Sequence, residues 1–481
     1  MSNSQSTPAR VLVLGGSIRA RVSNRGPIVE LATGAADLED YRKRAGDFID
    51  AGGVLGNSEI IAGASIVGAA AEGAEVDYFP LIHLFPPKDE PVVELKADEE
   101  MFALTKMDTL DIDPGPFQEM ADSLAQSQGV VLSTPVYFGD RSSVANKFLQ
   151  IGSVRGLLHD KAMGMVSVGA KRNGGQETTN IFGLFEAVTQ GALGVGNGPP
   201  TSQFGGTAKG GQMGHVLEDD WGLETALGTG RRIAQVAKIL SHAAARPDEA
   251  QAEKVKVAIF VAIDTKEKML RHYIDDLTRQ AAQAMPWVEF TVQDLIDHRI
   301  YRCLGCNTCP KNKDTPGVRP HCVIKDPTDY LETLRDILHE SDAAVIAGLN
   351  LLDPQRLIFR YQVVTERMRY MRRNNFEFTN MPFTGLCYHE FGATINPIHS
   401  LKTLVSYLRH NTIIHKPVEV FEHQGKLIES GLDALKQFCH TARRIKVGKR
   451  SLKFDKPIYV PHGEAAGYQH PDESRTEHGS R

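Results

Sequence analysis

Long hydrophobic runs are missing from this chain. Nowhere do about 18 uncharged apolar residues follow one another, so the sequence predicts no membrane-spanning helix. Neither sign of charge dominates: 54 Lys+Arg against 59 Asp+Glu leave a formal net charge of −5. That balance gives no field to hold nucleic acid or an anionic membrane. Cysteine is scarce, with 6 in 481 residues, too few for a disulfide scaffold. The opening residues, Met1 to Arg10, lack the apolar core of a signal peptide. The expectation is a cytoplasmic protein with neither a nucleic-acid nor a membrane partner. A hydrophobic content of 41% with 23% charged residues is that of a globular chain, long enough for two or three domains.

What is present is an alternation of strand and helix signals. Arg10–Gly15 is a short apolar run closing on Gly15-Gly-Ser17, and similar runs stand at Val130–Thr134 and Ala162–Val168. Such runs suit strands buried on both faces of a parallel sheet. Helical periodicity fills the intervals at Ser58–Glu72 and Phe117–Gln126, the order of a doubly wound α/β fold. Ala243–Glu253 reads as a charged linker, and the pattern then restarts. Val255–Val261 is a new first strand, and Ser341–Ala347 parallels Ser127–Ser133. Each half closes on a Gly-Leu-acid start with a late arginine pair: Gly222 with Arg231-Arg232, and Gly431 with Arg443-Arg444. This self-similarity predicts two tandem α/β domains, 1–245 and 254–448, with a tail at 449–481 that has no core-forming pattern.

Three loops of the first half carry chemistry. A strand ending in Gly-Gly-Ser before a helix offers backbone N–H groups and a positive helix end to a phosphate. Ser17 adds a hydroxyl, and Arg19 a bidentate guanidinium. Alone, Gly16-Ser-Ile-Arg19 fits an ordinary turn into a helix equally well. The second loop, Ser133-Thr-Pro-Val-Tyr-Phe-Gly-Asp140, follows the third strand at its carboxyl end, where open α/β sheets bind ligands. Tyr137 and Phe138 offer flat faces, Pro135 stiffens the loop and Gly139 permits close approach. The third loop is Val168–Glu177. Together they describe a site for a flat ligand that carries a phosphate.

Gly16-Ser-Ile-Arg19, Thr134-Pro-Val-Tyr-Phe-Gly139 and Gly169 with Gly174-Gly-Gln-Glu177 resemble the flavodoxin-like NAD(P)H-dependent FMN reductase and iron–sulfur flavoprotein family. The resemblance spans roughly residues 10–240. It implies that Ser17 and Arg19 bind the FMN phosphate. Thr134, Pro135, Val136, Tyr137, Phe138 and Gly139 would wrap the ring edge, and Gly169, Gly174, Gly175 and Gln176 would line its far side. The sequence departs from the family by following Gly-Ser-x-Arg with an insertion over about residues 20–55, carrying its own helix at Leu38–Asp50. Gly56-Asn57-Ser58 then restores the motif, so Asn57 and Ser58 become the remaining phosphate ligands, with Ser23 and Asn24 as alternatives. Placed there, the insertion overhangs the flavin as a lid or substrate wall.

The second half has no Gly-Ser-x-Arg. Its first strand runs into Asp264, which would repel a phosphate, so a second FMN is not expected and this domain reads as degenerate in its FMN loop. It has instead Cys303-Leu-Gly-Cys306-Asn-Thr-Cys309, with Cys322 beyond. Three thiolates at x2 spacing and a remote fourth suit the corners of a [4Fe–4S] cubane. The same four residues suit a tetrahedral zinc, or reduced thiols without metal. The family resemblance supports iron, because its members carry a compact Cys-x2-Cys-x2-Cys…Cys motif; here the last gap is longer, and Cys322 is the least typical ligand. Cys387 and Cys439 read as small core residues, and His321 and His389 as isolated histidines. The Arg-rich stretch Arg356–Arg373 reads as a solvated helix face.

By this resemblance the chain is an FMN-dependent oxidoreductase. It takes hydride from NAD(P)H and passes electrons through the cluster, or directly, to a small-molecule or protein acceptor. No protein acid or base is required. A non-enzymatic electron carrier and a dedicated biosynthetic flavin reductase are the competing readings. In single-domain relatives the cluster and the FMN that exchange electrons belong to partner subunits; the resemblance implies that a tandem chain brings that pairing either within one polypeptide or between the chains of a homodimer.

Overall fold

A computed structural model describes residues 8–18, 25–85, 112–306, 309, 321–350, 354–390, 398–450, 452–455 and 457. Through them runs one 14-stranded, mostly parallel sheet. The first half contributes β1 (Arg10–Gly15), α1 (Arg25–Thr33), α2 (Leu38–Asp50), α3 (Asn57–Ala71), β2 (Glu75–Pro80), α4 (Pro114–Gln126), β3 (Gly129–Tyr137), β4 (Asp140–Arg141), α5 (Ser143–Arg155), β5 (Ala162–Gly169), α6 (Gln176–Thr189), β6 (Leu193–Gly194), β7 (Gly206–Lys209) and α7 (Asp220–Ala244). A short helix, α8 (Pro247–Ala252), leads into the second half. There follow β8 (Val255–Val261), α9 (Met269–Ala284), β9 (Val288–Asp294), α10 (Leu331–Glu340), β10 (Ala343–Asn350), α11 (Pro354–Arg367), α12 (Arg369–Arg373), β11 (Pro382–Glu390), α13 (Ile398–Leu408), β12 (Ile413–Ile414), β13 (Val418–His423), β14 (Lys426–Glu429) and α14 (Leu432–Arg450). Among the described residues no helix is long and apolar enough to cross a membrane.

The strand order is β2-β1-β3-β5-β6, then β12-β11-β10-β8-β9. Each half is therefore a flavodoxin-like sheet of order 2-1-3-4-5, as the strand and helix signals predict. Two separate sheets were expected; the halves instead join edge to edge, because β6 meets β12 antiparallel at Gly194 and Ile414. Both fifth strands are short where they meet, and pairing them removes two open edges. The core follows suit. One apolar layer runs under both halves, from Leu12, Leu132 and Met165 to Phe260, Ile346 and Phe383.

Two further expectations are refined. The connecting stretch Ala243–Glu253 carries more helix than its composition suggests: α7 runs to Ala244 and α8 begins at Pro247, whose fixed φ suits the first turn of a helix. Thr134–Tyr137 is not loop. β3 continues through it because Pro135 still registers with Val168 of β5, while Val136 and Tyr137 pair with Arg141 and Asp140 of β4.

Helix α3, which begins at the candidate phosphate loop, is almost wholly buried. It crosses α7 without room for side chains. A Cβ on Gly68 would lie 2.0 Å from the Leu227 carbonyl, and one on Gly230 1.8 Å from the Ser65 carbonyl. Gly230→Ala is expected to lower stability by about 1–3 kcal/mol, the usual cost of overpacking. Urea unfolding measures this, and an unchanged midpoint would show that the crossing yields freely.

Candidate functional site: a mononucleotide cleft and a cysteine pocket

The loop after β1 is fixed from three sides. A side chain at Gly15 would collide with Tyr78, whose hydroxyl would stand 2.1 Å from the new Cβ. The Gly16 N–H donates to the Ser133 carbonyl at 2.7 Å, and its own carbonyl accepts from the Ser142 hydroxyl at 2.5 Å. Ser142 also caps α5 by accepting from the Ala145 N–H and donates its own N–H to Thr134 Oγ1 at 3.0 Å. The Ser133 hydroxyl donates to the Ser58 carbonyl at 2.6 Å and ties β3 to α3. Sequence reasoning missed Ser133 and Ser142 as determinants; the helix-capping signal at Ser142 was the available clue.

The described chain breaks off at Ile18 and is back beside the same loop at Gly56. A Cβ built on Gly56 would sit 4.0 Å from Ser17 Oγ, so Ser17 and the α3 N-terminus share one corner. Glu59 occupies part of that helix end by accepting from the Gly56 N–H at 2.5 Å. The Ser58 hydroxyl and the Asn57 and Ser58 N–H groups have no partner among the described residues. Asn57 differs in its side chain. Its amide donates to the Gly210 and Gln212 carbonyls at 2.9 and 2.7 Å, so Asn57 holds the 210–212 loop against α3 and offers a ligand only its backbone. Arg19, Ser23 and Asn24 lie outside the described residues.

The β3–β4 hairpin forms the second wall. Phe138 and Gly139 take positive φ at its tip, 52° and 82°. Phe138 is fully exposed and Tyr137 is 40% exposed. The tip meets the third loop so closely that a Cβ on Gly175 would lie 2.7 Å from Gly139 Cα. Pro135 and Val136 are half-buried. Two of the expected ligands have their side chains engaged within the protein. Thr134 is fully buried and receives the Ser142 amide. Gln176, 2% exposed, donates to the Lys171 and Ala208 carbonyls and accepts from the Gly174 N–H. Gly169 must be small, since a Cβ there would stand 2.9 Å from the Gln176 amide nitrogen. Ser17, Ser58, Val136–Gly139, Gly174 and Gly175 are the expected ligands that remain.

The cysteines of the second half converge as well. Cys303, Cys306, Cys309 and Cys322 line one pocket, together with Leu304, Val323, Arg369 and Tyr370. The Gly305 N–H donates to Cys303 Sγ at 3.4 Å, Gly305 holding a φ of 66°. Burial pushes the Cys309 thiol up, while Arg373 and Arg369 pull it back. The arginine stretch is therefore not the solvated face expected. Arg360 donates to the Leu295 and His298 carbonyls. Arg367, 3% exposed, binds Asp329 at 2.6 Å and the Tyr301 carbonyl at 2.8 Å. These arginines turn inward because loop carbonyls and a buried carboxylate there need donors. Among the described residues no three of the four sulfurs come within 4.8 Å of one another, whereas ligands of one tetrahedral zinc sit about 3.8 Å apart.

Residues 55–193 match the NADPH-dependent FMN reductase family. An iron–sulfur flavoprotein of Methanocaldococcus jannaschii is 32% identical over 196 residues, 38% of this chain and 92% of that one. The chain belongs to the iron–sulfur flavoprotein family. Among solved structures it also resembles a WrbA-like flavodoxin of Agrobacterium tumefaciens, at 15% identity over 48% of this chain and 98% of the other, with a TM-score of 0.27. Family membership makes FMN-dependent oxidoreduction the chemistry of the fold, and the first half fits the cofactor. Partnerless N–H groups at a helix start and glycines in contact across the rim are what a phosphate and a thin ring require.

The second half departs from the family pattern at the same place in its own sheet. Asp264 Oδ1 accepts from the Thr265 and Leu270 N–H groups, and Oδ2 from Arg271 N–H at 2.7 Å. Its carboxylate takes the amides at the α9 N-terminus that a phosphate would need.

Proposed function

We propose that this chain is an NAD(P)H-dependent FMN oxidoreductase with FMN in the first half and a [4Fe–4S] cluster on Cys303, Cys306, Cys309 and Cys322. The observation that carries the reading is the reunion of Ser17 with the α3 N-terminus across the inserted residues. FMN, when bound, supplies hydride acceptance at N5 and release of electrons one or two at a time. Ser17, Ser58 and the amides of Asn57 and Ser58 hold the phosphate, with Arg19 as a further cation. Val136–Gly139 and Gly174–Gly175 bracket the ring, and the exposed rings of Tyr137 and Phe138 shield its edge from water. Gln176, Thr134 and Asn57 keep those walls in register.

The Cys-x2-Cys-x2-Cys spacing and the iron–sulfur flavoprotein relative support a cubane over a single zinc. The Gly305 N–H and the charges of Arg369 and Arg373 favour the anionic thiolate set that a cluster needs. Residues 1–245 and 254–448 are taken as the two functional domains. The route from flavin to cluster within one chain is long. The flavin loops follow β1, β3 and β5 of the first half, whereas the cysteine loop follows β9, at the far edge of the second half of the sheet. That supports a homodimer in which the flavin of one chain faces the cluster of another. The apolar side chains exposed beside each site, Phe138 and Leu304, are suited to such a contact.

Removing a hydrogen bond to a charged group costs about 1.5–3 kcal/mol, so Ser58→Ala should weaken FMN binding about 10–100-fold. Flavin-fluorescence titration of the apoprotein measures this, and an unchanged Kd would overturn the phosphate assignment. Stopped-flow mixing with NADPH and NADH should bleach the flavin; no bleaching by either would leave an electron carrier in place of a reductase.

A further inference from the structure

The second half gave up the phosphate corner, yet the carboxyl end of its sheet gathers a different set of donors. Strand alternation puts Cys387 and His389 on one face of β11. The parallel register sets Glu419 of β13 beside Cys387. The thiol sulfur, a ring nitrogen and a carboxylate oxygen of these three residues all lie within 4.8 Å of one another. His389 Nε2 stands 2.5 Å from Glu419 Oε2, and Ser400 of α13 donates its hydroxyl to Glu419 Oε1 at 2.8 Å. Phe421 stacks on the imidazole at 4.8 Å and 14°. Cys387 is 1% exposed and His389 3%, whereas the Glu419 side chain keeps 30% of its surface, so the group has one open side.

A thiol in a core needs no carboxylate or imidazole beside it, and burying those groups costs free energy unless something offsets it. Cys439 shows the plain alternative: it is fully buried among Leu435, Phe438 and Ala442. We propose that Cys387, His389 and Glu419 bind one divalent ion of the zinc class, with water as the fourth ligand on the side where Glu419 reaches solvent. One sulfur, one nitrogen and one oxygen suit a borderline cation, and three protein ligands with an open position are the pattern of zinc sites that exchange or activate a ligand. Donors sharing a tetrahedral ion stand roughly 3.3–3.8 Å apart, so this cluster closes on an ion with small side-chain movement. Binding displaces the thiol proton to solvent and requires the His389 proton on Nδ1, leaving Nε2 to the metal. Ser400 is the outer partner that orients the carboxylate.

The test uses the full-length protein carrying its flavin and iron, desalted after zinc loading, with zinc, iron and FMN measured on one sample. About one zinc per chain is expected in the native protein and in Cys439→Ser. Cys387→Ser and His389→Gln should lose that zinc while FMN and iron stay at native levels, which also reports that the variants are folded. Should both variants misfold, Ser400→Ala decides. It is expected to bind zinc about 10–100-fold more weakly in competition with a chromophoric chelator. A native protein that takes up no zinc overturns the proposal, as does native affinity in Ser400→Ala. Zinc that survives in His389→Gln but vanishes in Cys306→Ser would overturn it too, by assigning the ion to the other cysteines.

Discussion

Cys306→Ser is expected to strip the iron from this protein and leave its FMN in place. The middle cysteine of the x2-spaced trio shares one pocket with Cys303, Cys309 and Cys322, and a cubane needs all four corners. Nothing in that pocket belongs to the mononucleotide cleft, which is built from β1, α3, β3 and the start of α6. Metal and flavin analysis of anaerobically purified protein should find about four irons per chain, one cubane, in the parent and almost none in the variant, at equal FMN. Iron retained in full by Cys306→Ser would remove the cysteine from the ligand set. Zinc in place of iron in the parent would make the pocket structural.

A second large effect is expected in the scaffold behind that pocket. Arg335 and Glu377 are buried as side chains, 1% and 5% exposed. Arg335 Nε donates to Glu377 Oε2 at 2.8 Å, and its Nη2 to Oε1. The guanidinium also lies over the ring of Tyr370, a wall of the cysteine pocket, at 5.1 Å. Glu377→Gln takes from that buried cation its two-point counter-charge, leaving only the half-exposed Glu332 carboxylate 3.4 Å from Nη1, and should cost about 3 kcal/mol in urea unfolding. The pair carries a pH signature as well. Burial alone would raise the Glu377 carboxyl, but hydrogen bonds from His339, Arg335 and Asn374 outweigh it and hold the group below its ordinary 4.5. A carboxylate depressed in the folded state stabilises fully above its unfolded pKa and loses that contribution as pH falls through the folded value. Parent stability should therefore decline more steeply than that of Glu377→Gln once the pH drops below about 4.5. Parallel acid slopes would exclude the pair as the cause.

Local chemistry written in consecutive residues was legible in the sequence. β1, β8 and α2 stand where apolar runs and helical periodicity put them, because continuous apolar stretches have few alternatives inside a parallel sheet. The turn after β1 at Gly15–Ser17 could be placed for the same reason. What escaped depended on contacts between distant residues. Asn57, Thr134 and Gln176 carry motif positions, but their side-chain bonds are spent on neighbouring loops, and no spacing reveals whether an amide is already satisfied. The inward turn of Arg360 and Arg367 needed carbonyls more than sixty residues away in the chain. His389 read as isolated because Glu419 and Ser400 reach it only through strand register and helix docking. The motif at Cys387-Tyr-His389, alternate residues of one strand, was the signal available for that cluster.

The seam at Gly194 and Ile414 has a consequence for how the two halves could diverge. Matching edges that meet antiparallel across a two-fold axis are the contact a symmetric pair of single-domain chains would make, and in such a pair every substitution is made twice. Joined through α8, the two halves of this chain are under no such constraint. One can keep an anion-binding corner while the other fills its own with the carboxylate of Asp264, and a change ruinous in both places becomes tolerable in one.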